Sequence, residues 1–203
     1  MKIQTFIGKT EEEALEKAKE TLNATEDELF IGMKRSKKKL LGTKIEIEAI
    51  TKYELNQEIK SYLQNITKLM GIDVKIEMKK RENMPLFNLL AQDASVLIGK
   101  NGKTIEALQT ITHQMVNSQV GEYYKFQLDV NDYKNKKRIK LERQIKQIAK
   151  EVARTKVEAH LEPMNAYERR LVHNALTNWT NVETHSEEEG PKRHVVITPK
   201  EEE

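Results

Sequence analysis

Two short runs in this sequence carry residue types that can do chemistry. The first is Val96-Leu97-Ile98-Gly99-Lys100-Asn101-Gly102-Lys103-Thr104-Ile105. Gly99 and Gly102 have no side chains, so another backbone can approach them closely. Lys100 and Lys103 add positive charge. The periodic run Ile105, Leu108, Ile111, Met115, Val116 predicts an amphipathic helix. Its free N–H groups and positive dipole end point back at the loop. Bare backbone, cations and a helix N-terminus together suit a phosphate. The second run is Pro163-Met164-Asn165-Ala166-Tyr167-Glu168-Arg169-Arg170-Leu171-Val172-His173-Asn174-Ala175-Leu176. Arg169 and His173 stand at i and i+4 of a predicted helix and project from one face. Arg170 and Asn174 form a neighbouring polar pair. An arginine offers a forked donor to phosphate, and the histidine adds a ring N–H.

Neither run reads as catalytic. Gly102-Lys103-Thr104 ends like a P-loop, but that motif needs a glycine where Leu97 stands. Nucleotide hydrolysis is not expected. The histidines His113, His160, His173, His185 and His194 show no His-Glu-x-x-His pattern. The nearest spacing, His185 to His194, has no further ligands identifiable from the sequence. No catalytic residue, metal or cofactor is therefore expected. The plainer alternatives are a simple helix-turn-helix corner at the two glycines and an ordinary surface pair at Arg169 and His173.

Composition narrows the class. The chain has 203 residues, 33% charged and only 5% aromatic, which predicts small aliphatic cores. A net charge of +3 is modest, so a nucleic-acid role must depend on where the charge sits. Without cysteine there are no disulfides or thiolate metal sites, consistent with a reducing compartment. No apolar run approaches the ~18 residues of a membrane span, and the N-terminal residues lack a signal-peptide core. A cytoplasmic protein is expected.

The elements that must position these runs follow from periodicity. Residues 2–8 alternate as a strand. Thr10 to Glu13 read as a capping box, and Ala14, Leu15, Ala18 and Leu22 form one helix face. Leu29–Met33 and Lys44–Ile50 are two further strands. This β-α-β-β unit is marginal alone and should dock on something or pair with a copy of itself. The basic stretch Lys34 to Gly42 is either a solvated hairpin loop or a docking loop for an anion or an acidic protein surface. Leu40 and Leu41 beside it favour a protein or membrane-surface contact.

Next, Leu55, Ile59, Leu63, Ile66 and Met70 predict a helix that Gly71 ends. Val74, Ile76 and Met78 alternate as a strand, Asn83-Met84-Pro85 turns the chain, and Leu86 to Leu90 form another strand. Two short helices flank the glycine loop, and Tyr124, Phe126, Leu128 and Val130 close the unit. The order α-β-β-α-α-β around Gly99-Lys100-Asn101-Gly102 resembles a type II KH domain. The resemblance implies a loop that clamps about four nucleotides of single-stranded RNA or DNA. Ile98, Gly99, Lys100, Asn101, Gly102, Lys103, Thr104 and Ile105 would form the binding segment. Ile98, Ile105 and Leu108 either line a groove for splayed bases or belong to the core.

From Tyr133 to Lys156 the charge bias is strongest. Lys134, Lys136, Lys137, Arg138, Lys140, Arg143, Lys146, Lys150, Arg154 and Lys156 are opposed only by Glu142 and Glu151. Leu141, Ile145, Ile148 and Val152 supply a helical apolar face. Either this is a soluble lysine-rich helix or it attracts phosphate without regard to sequence. Val157, Ala159 and Leu161 alternate as a strand that Pro163 breaks. Asn165 to Glu168 form a capping box whose helix is expected to bury Tyr167, Leu171, Ala175 and Trp179. With Thr184-His185-Ser186-Glu187 and Pro191-Lys192-Arg193-His194-Val195-Val196-Ile197, this part resembles an R-three-H domain, a binder of single-stranded nucleic acid. The resemblance implies that Arg169 and His173 are the named pair. It places Arg170 beside them, and His185, Arg193 and His194 on or next to the partner strands. The acidic Glu187–Glu189 and Glu201–Glu203 runs read as solubility tuning.

The expected fold is α+β, three small units in series. These are a β-α-β-β domain over 1–52, a type II KH domain over 53–131, and an R-three-H domain over 132–203 with a long basic helix and a small sheet. This arrangement resembles the bacterial Jag family, also called KhpB or EloR. The family's basic hairpin usually reads Lys-Lys-Gly-Phe-Leu-Gly, where this chain has Lys37-Lys38-Lys39-Leu40-Leu41-Gly42. The resemblance implies a cytoplasmic RNA-binding protein acting as an RNA chaperone or post-transcriptional regulator. It also implies a small single-KH partner, KhpA, and a role in cell elongation, cell shape and peptidoglycan homeostasis. KH surfaces can dimerise, so a homo-oligomer is a further expectation. The competing reading is an adaptor that meets membrane-associated proteins through its N-terminal domain.

Overall fold

The computed structural model describes residues 2–39, 42–82 and 84–200. Met1, Leu40, Leu41, Asn83 and residues 201–203 fall outside it. So do the expected contact role of Leu40 and Leu41, the Asn83 turn and the acidic tail. The chain forms two compact units, Met1–Asn131 and Asp132–Glu203, and helices with small sheets in series make it an α+β protein.

In the first unit, strand β1 (Gln4–Gly8) gives way to helix α1 (Glu11–Leu22) at the expected N-cap Thr10, but the return bond of the expected capping box comes from Lys9 N in place of Thr10 N. Thr10 Oγ1 accepts from Glu13 N at 3.2 Å, and Lys9 N donates to Glu13 Oε2 at 2.8 Å. β2 (Leu29–Lys39) and β3 (Gly42–Thr51) complete an antiparallel sheet of order β1-β3-β2. Most of the expected basic loop is strand: Lys37 pairs with Lys44 and Lys39 with Gly42. The basic residues of β2 are carried by ladder hydrogen bonds to β3, whatever their own strand propensity. Phe6, Ala14, Ala18, Leu29, Ile47 and Ala49 form a small core between this sheet and α1.

Thr51 caps helix α2 (Lys52–Leu69), which buries Leu55, Ile59 and Leu63 completely. β4 (Lys75–Arg81) and β5 (Met84–Leu90) form a hairpin. Met84 and Pro85, expected in the turn, belong to β5. Helices α3 (Ser95–Ile98) and α4 (Lys103–Val120) lead to β6 (Gln127–Val130), parallel to β5. α4 buries Ile105, Leu108, Thr112, Val116 and Val120. Ile111, expected inside, is exposed, because the buried line runs through Thr112, whose hydroxyl is satisfied by Leu108 O at 2.6 Å.

These two sheets share one core. Ile50 lies in the same buried cluster as Leu63, Phe87 and Leu128, with Ile3 and Phe30 packed against it. The Phe30 ring meets Tyr124 edge-on at 5.2 Å, and Tyr124 Oη donates to Asn56 Oδ1 at 3.0 Å. The N-terminal unit thus finds its packing partner within its own chain. That removes the need for a second copy to cover it.

The second unit starts with helix α5 (Tyr133–Thr155), followed by a two-residue strand β7 (Ala159–His160) and helix α6 (Ala166–Leu176). β8 (Val182–Glu187) and β9 (His194–Pro199) finish a sheet of order β7-β9-β8. Ile145, Ala149, Val152, Val172, Leu176, Val182, Val195 and Ile197 form its core. α6 buries Val172 and Leu176. The expected line through Leu171 and Ala175 is its half-buried flank, and Tyr167 is 63% exposed. Tyr167 and Val172 are five residues apart, about 140° around a helix of 3.6 residues per turn, so they face different directions.

Gly32 tests the shared core of the first unit. A Cβ there would lie 2.2 Å from the Val120 carbonyl oxygen, which is backbone and cannot swing aside. Gly32→Ala is expected to cost about 1–3 kcal/mol, the usual range for overpacking, measured by urea unfolding. An unchanged midpoint would mean that β2 does not press on α4.

Candidate nucleic-acid interface

The glycine loop is built by three residues with positive φ. α3 ends at Gly99, with φ of +67°. A single 3-10 turn, Lys100–Gly102, follows, in which Asn101 has φ of +57° and Gly102 of +91°. Asparagine is among the few non-glycine residues enriched in that region. A Cβ at Gly99 would sit 2.1 Å from Thr104 Oγ1, so the first turn of α4 packs directly under the loop. Gly102 N donates to Gly99 O at 3.3 Å and closes the turn.

α4 has Gly102 as its N-cap and no side-chain hydrogen bond there. Its first N–H groups therefore lack the capping oxygen that a Ser, Asp or Asn would bring. Lys100, Asn101 and Lys103 are exposed around this end. The assembly offers an anion backbone donors, a helix dipole and two ammonium groups within one short loop.

The apolar candidates separate. Ile105 is 2% exposed and Leu108 4%; both are core, and neither side chain is available to a base. Ile98 is half-buried against the same core, and Thr104 is half-buried below Gly99. Val96, passed over in the sequence, is 54% exposed. In the one-turn helix α3, Leu97 is buried and Ile98 packs against the core, and that leaves Val96 at the surface beside the loop.

In the second unit, Asn165 Oδ1 accepts from Glu168 N at 2.9 Å, and Asn165 N donates to Glu168 Oε2 at 3.2 Å. Lys137 Nζ meets Glu168 Oε1 at 2.7 Å and fastens the start of α6 to α5. Arg169 Nη1 donates to Met164 O at 2.8 Å, while Met164 N donates to Arg193 O at 3.2 Å. The structure thereby draws Arg169 to the backbone of Arg193. Arg170 and the Arg193 side chain are exposed.

His173 is engaged on both ring nitrogens. Nδ1 lies 2.7 Å from Thr184 Oγ1 and Nε2 3.2 Å from Ser186 Oγ. It braces α6 to β8. Thr184 and Ser186 point to the α6 face of the sheet, and His185 between them points to the other. His185 is exposed there, with Nε2 2.9 Å from Glu187 Oε1. Arg169 and His173 thus share α6, Met164 links Arg169 to the Arg193 backbone, and strand alternation turns His185 to the other face of the sheet.

Trp179, expected in the core, is half-buried and lines a cleft of 540 Å³ with Lys150, Arg154, Asn178 and Asn181. An aromatic face flanked by two cations suits a stacked base and its phosphates. Lys150 and Arg154 at i and i+4 on α5 were the available signal. Along α5, Lys136, Lys140, Arg143 and Lys146 are also exposed, while Arg138 is held by Glu142 at 2.7 Å.

Known proteins share these modules. Residues 56–128 match the KH domain of KhpA/KhpB, and residues 139–199 match the R-three-H domain. The RNA-binding protein KhpB of Clostridium symbiosum is 36% identical across 100% of this chain and 94% of its own length. The RNA-binding protein KhpB of Bacillus subtilis (strain 168) is 29% identical across 98% and 100%. That of Lactiplantibacillus plantarum is 32% identical across 67% of this chain and 42% of its own length.

The His173 brace has a pH consequence. Burial, reinforced by the charges of Arg169 and His185, holds its imidazole below the ordinary value of 6.5. As pH falls, the unfolded chain takes up this proton before the folded one does. The stabilisation is therefore complete above pH 6.5 and is lost as pH drops through the folded value. Urea unfolding is expected to show the wild type weakening below pH 6.5 more steeply than His173→Gln. Parallel pH profiles would refute the brace.

Proposed function

The chain belongs to the KhpB family of RNA-binding proteins, and on that premise we propose that it binds single-stranded RNA through two non-catalytic modules. The observation that carries this reading is the Gly99–Gly102 loop, whose left-handed backbone presents the uncapped start of α4 between Lys100 and Lys103. The KH module, assigned to 53–131, grips a short stretch of backbone with Gly99, Lys100, Asn101, Gly102, Lys103 and Thr104. The R-three-H module, assigned to 132–203, holds another stretch with Arg169, Arg170 and Arg193 and the basic face of α5. His173 acts by positioning α6. Two weak modules in one chain gain avidity from effective concentration.

The finer reading is an RNA chaperone or post-transcriptional regulator in the cytoplasm, paired with the small KH protein KhpA and linked to cell elongation, cell shape and peptidoglycan homeostasis. Family resemblance supports it. No helix among the described residues is long and apolar enough to cross a bilayer. Residues 1–52 serve as a third module that packs on the KH module through β2.

Both modules can be tested with a single-stranded RNA of mixed sequence in fluorescence anisotropy at fixed salt. Lys100→Asp with Asn101→Asp is expected to weaken binding at least ~10-fold, the effect of losing about 1.4 kcal/mol, with an unchanged unfolding midpoint. Undiminished affinity would remove the KH loop from the interface. Arg170→Ala and Arg193→Ala should each reduce the slope of log affinity against log salt by about 1. An unchanged slope would remove that arginine from phosphate contact.

A further inference from the structure

On the face of the β7-β9-β8 sheet opposite α6, the structure assembles His160, His185, Glu187 and His194. Glu187 and His194 are directly paired across β8 and β9, and His160 and His185 are both paired with Val196, two residues along. Side chains alternate along a strand, so all four stand on one face, while Val195 and Ile197 turn into the core. His160 Nδ1 lies 3.3 Å from His194 Nε2, and Glu187 Oε2 lies 3.9 Å from the same His160 nitrogen.

The hydrogen bonds on the far sides of the two rings decide what the facing nitrogens are. His194 Nδ1 lies 3.1 Å from the Lys192 carbonyl oxygen, and His160 Nε2 lies 3.2 Å from Glu158 Oε1. Both of those oxygens only accept, so each outer nitrogen carries the N–H. In the neutral rings, the inner nitrogens then present lone pairs to each other at 3.3 Å. Two lone pairs at that distance repel unless a cation sits between them. An outer N–H given to a carboxylate or a backbone carbonyl is also the support that metal-binding histidines characteristically have.

We propose that His160 Nδ1, His194 Nε2 and Glu187 Oε2 form a binding site for a borderline-soft divalent transition-metal ion, of which zinc is the type. A tetrahedral ion with Zn–N bonds of about 2.0–2.1 Å holds neighbouring ligand atoms about 3.3–3.4 Å apart, which matches the nitrogen pair. The carboxylate closes the remaining gap by rotation. Two imidazoles and one carboxylate select zinc, nickel, cobalt or copper over magnesium or calcium. His185 donates to Glu187 Oε1 and orients the carboxylate, and the three ligand side chains are exposed or half-buried. An ion here would clip all three strands together, including β7, which otherwise holds β9 through two residues.

The ligands come from three strands, and His160 is far from Glu187 and His194 in the chain, so no spacing in the sequence marks them as a set. His185 to His194 was the nearest pair by number, yet His160 is the partner that completes the site.

The test uses the full chain without a polyhistidine tag, stripped with a chelator and titrated with zinc chloride by calorimetry. Cobalt chloride is followed in parallel by visible absorption. One ion per chain is expected, with the intense cobalt bands of a tetrahedral site. His160→Ala and His194→Ala should each lower affinity at least ~10-fold, and Glu158→Ala about 10-fold through loss of its support. All of these side chains are exposed or half-buried at the sheet surface, and circular dichroism verifies the fold of each variant. The proposal is overturned if zinc shows no saturable single-site binding. It is also overturned if the variant combining His160→Ala with His194→Ala binds as the wild type does, or if cobalt gives only the weak bands of an octahedral aquo ion.

Discussion

At Gly99, a φ of +67° coincides with a space that has no room for a Cβ, because Thr104 Oγ1 would be 2.1 Å away. That coincidence sets the corner between α3 and α4. It brings the start of α4 under the loop, where no side chain caps it, and leaves Lys100, Asn101 and Lys103 on the outside. Any side chain at position 99 would strain the backbone and push the helix away together. The chemistry of the loop depends on the closeness that makes it intolerant. The start of α4 therefore carries no capping side chain that an anion would have to displace.

The second unit solves a different problem. It carries a strongly basic helix and must hold a short, polar helix, α6, over a three-stranded sheet. It does so with a few directional contacts in place of a large core. Lys137 reaches Glu168, Arg169 reaches Met164 O, and His173 spans Thr184 and Ser186. The named pair Arg169 and His173 thus shapes the surface, and the exposed Arg170 and Arg193 add charge to it. The two faces of the sheet also differ in chemistry. One supports α6 and the other gathers imidazoles around Glu187.

Much of the architecture was legible in the sequence. Thr10 and Asn165 capped the helices expected of them, and the α-β-β-α-α-β order appeared around the glycine loop. These signals are local: a cap, a turn and a helical period are decided within a few residues. The failures share the opposite cause. Ile111 and Tyr167 obeyed a plausible apolar period, but which line of a helix faces inward is chosen by what it packs against. Thr112 proved better placed than Ile111 because its hydroxyl could be satisfied inside the helix. The basic stretch after Met33 read as loop because lysines disfavour strands, and ladder bonds to β3 overrode that preference.

The sequence by itself determined the inventory: two glycines three apart, an arginine and a histidine four apart, a basic helix, and three sets of strands. Local sterics and hydrogen bonding are enough to read those. Only the tertiary structure decided what each group is free to do. Burial took Ile105 out of contention, hydroxyls on β8 occupied both nitrogens of His173, and strand alternation sent His185 to the opposite face. Sheet pairing brought His160 to His194 across 34 residues of chain. Availability is a property of neighbours, and in this protein the deciding neighbours are distant in sequence.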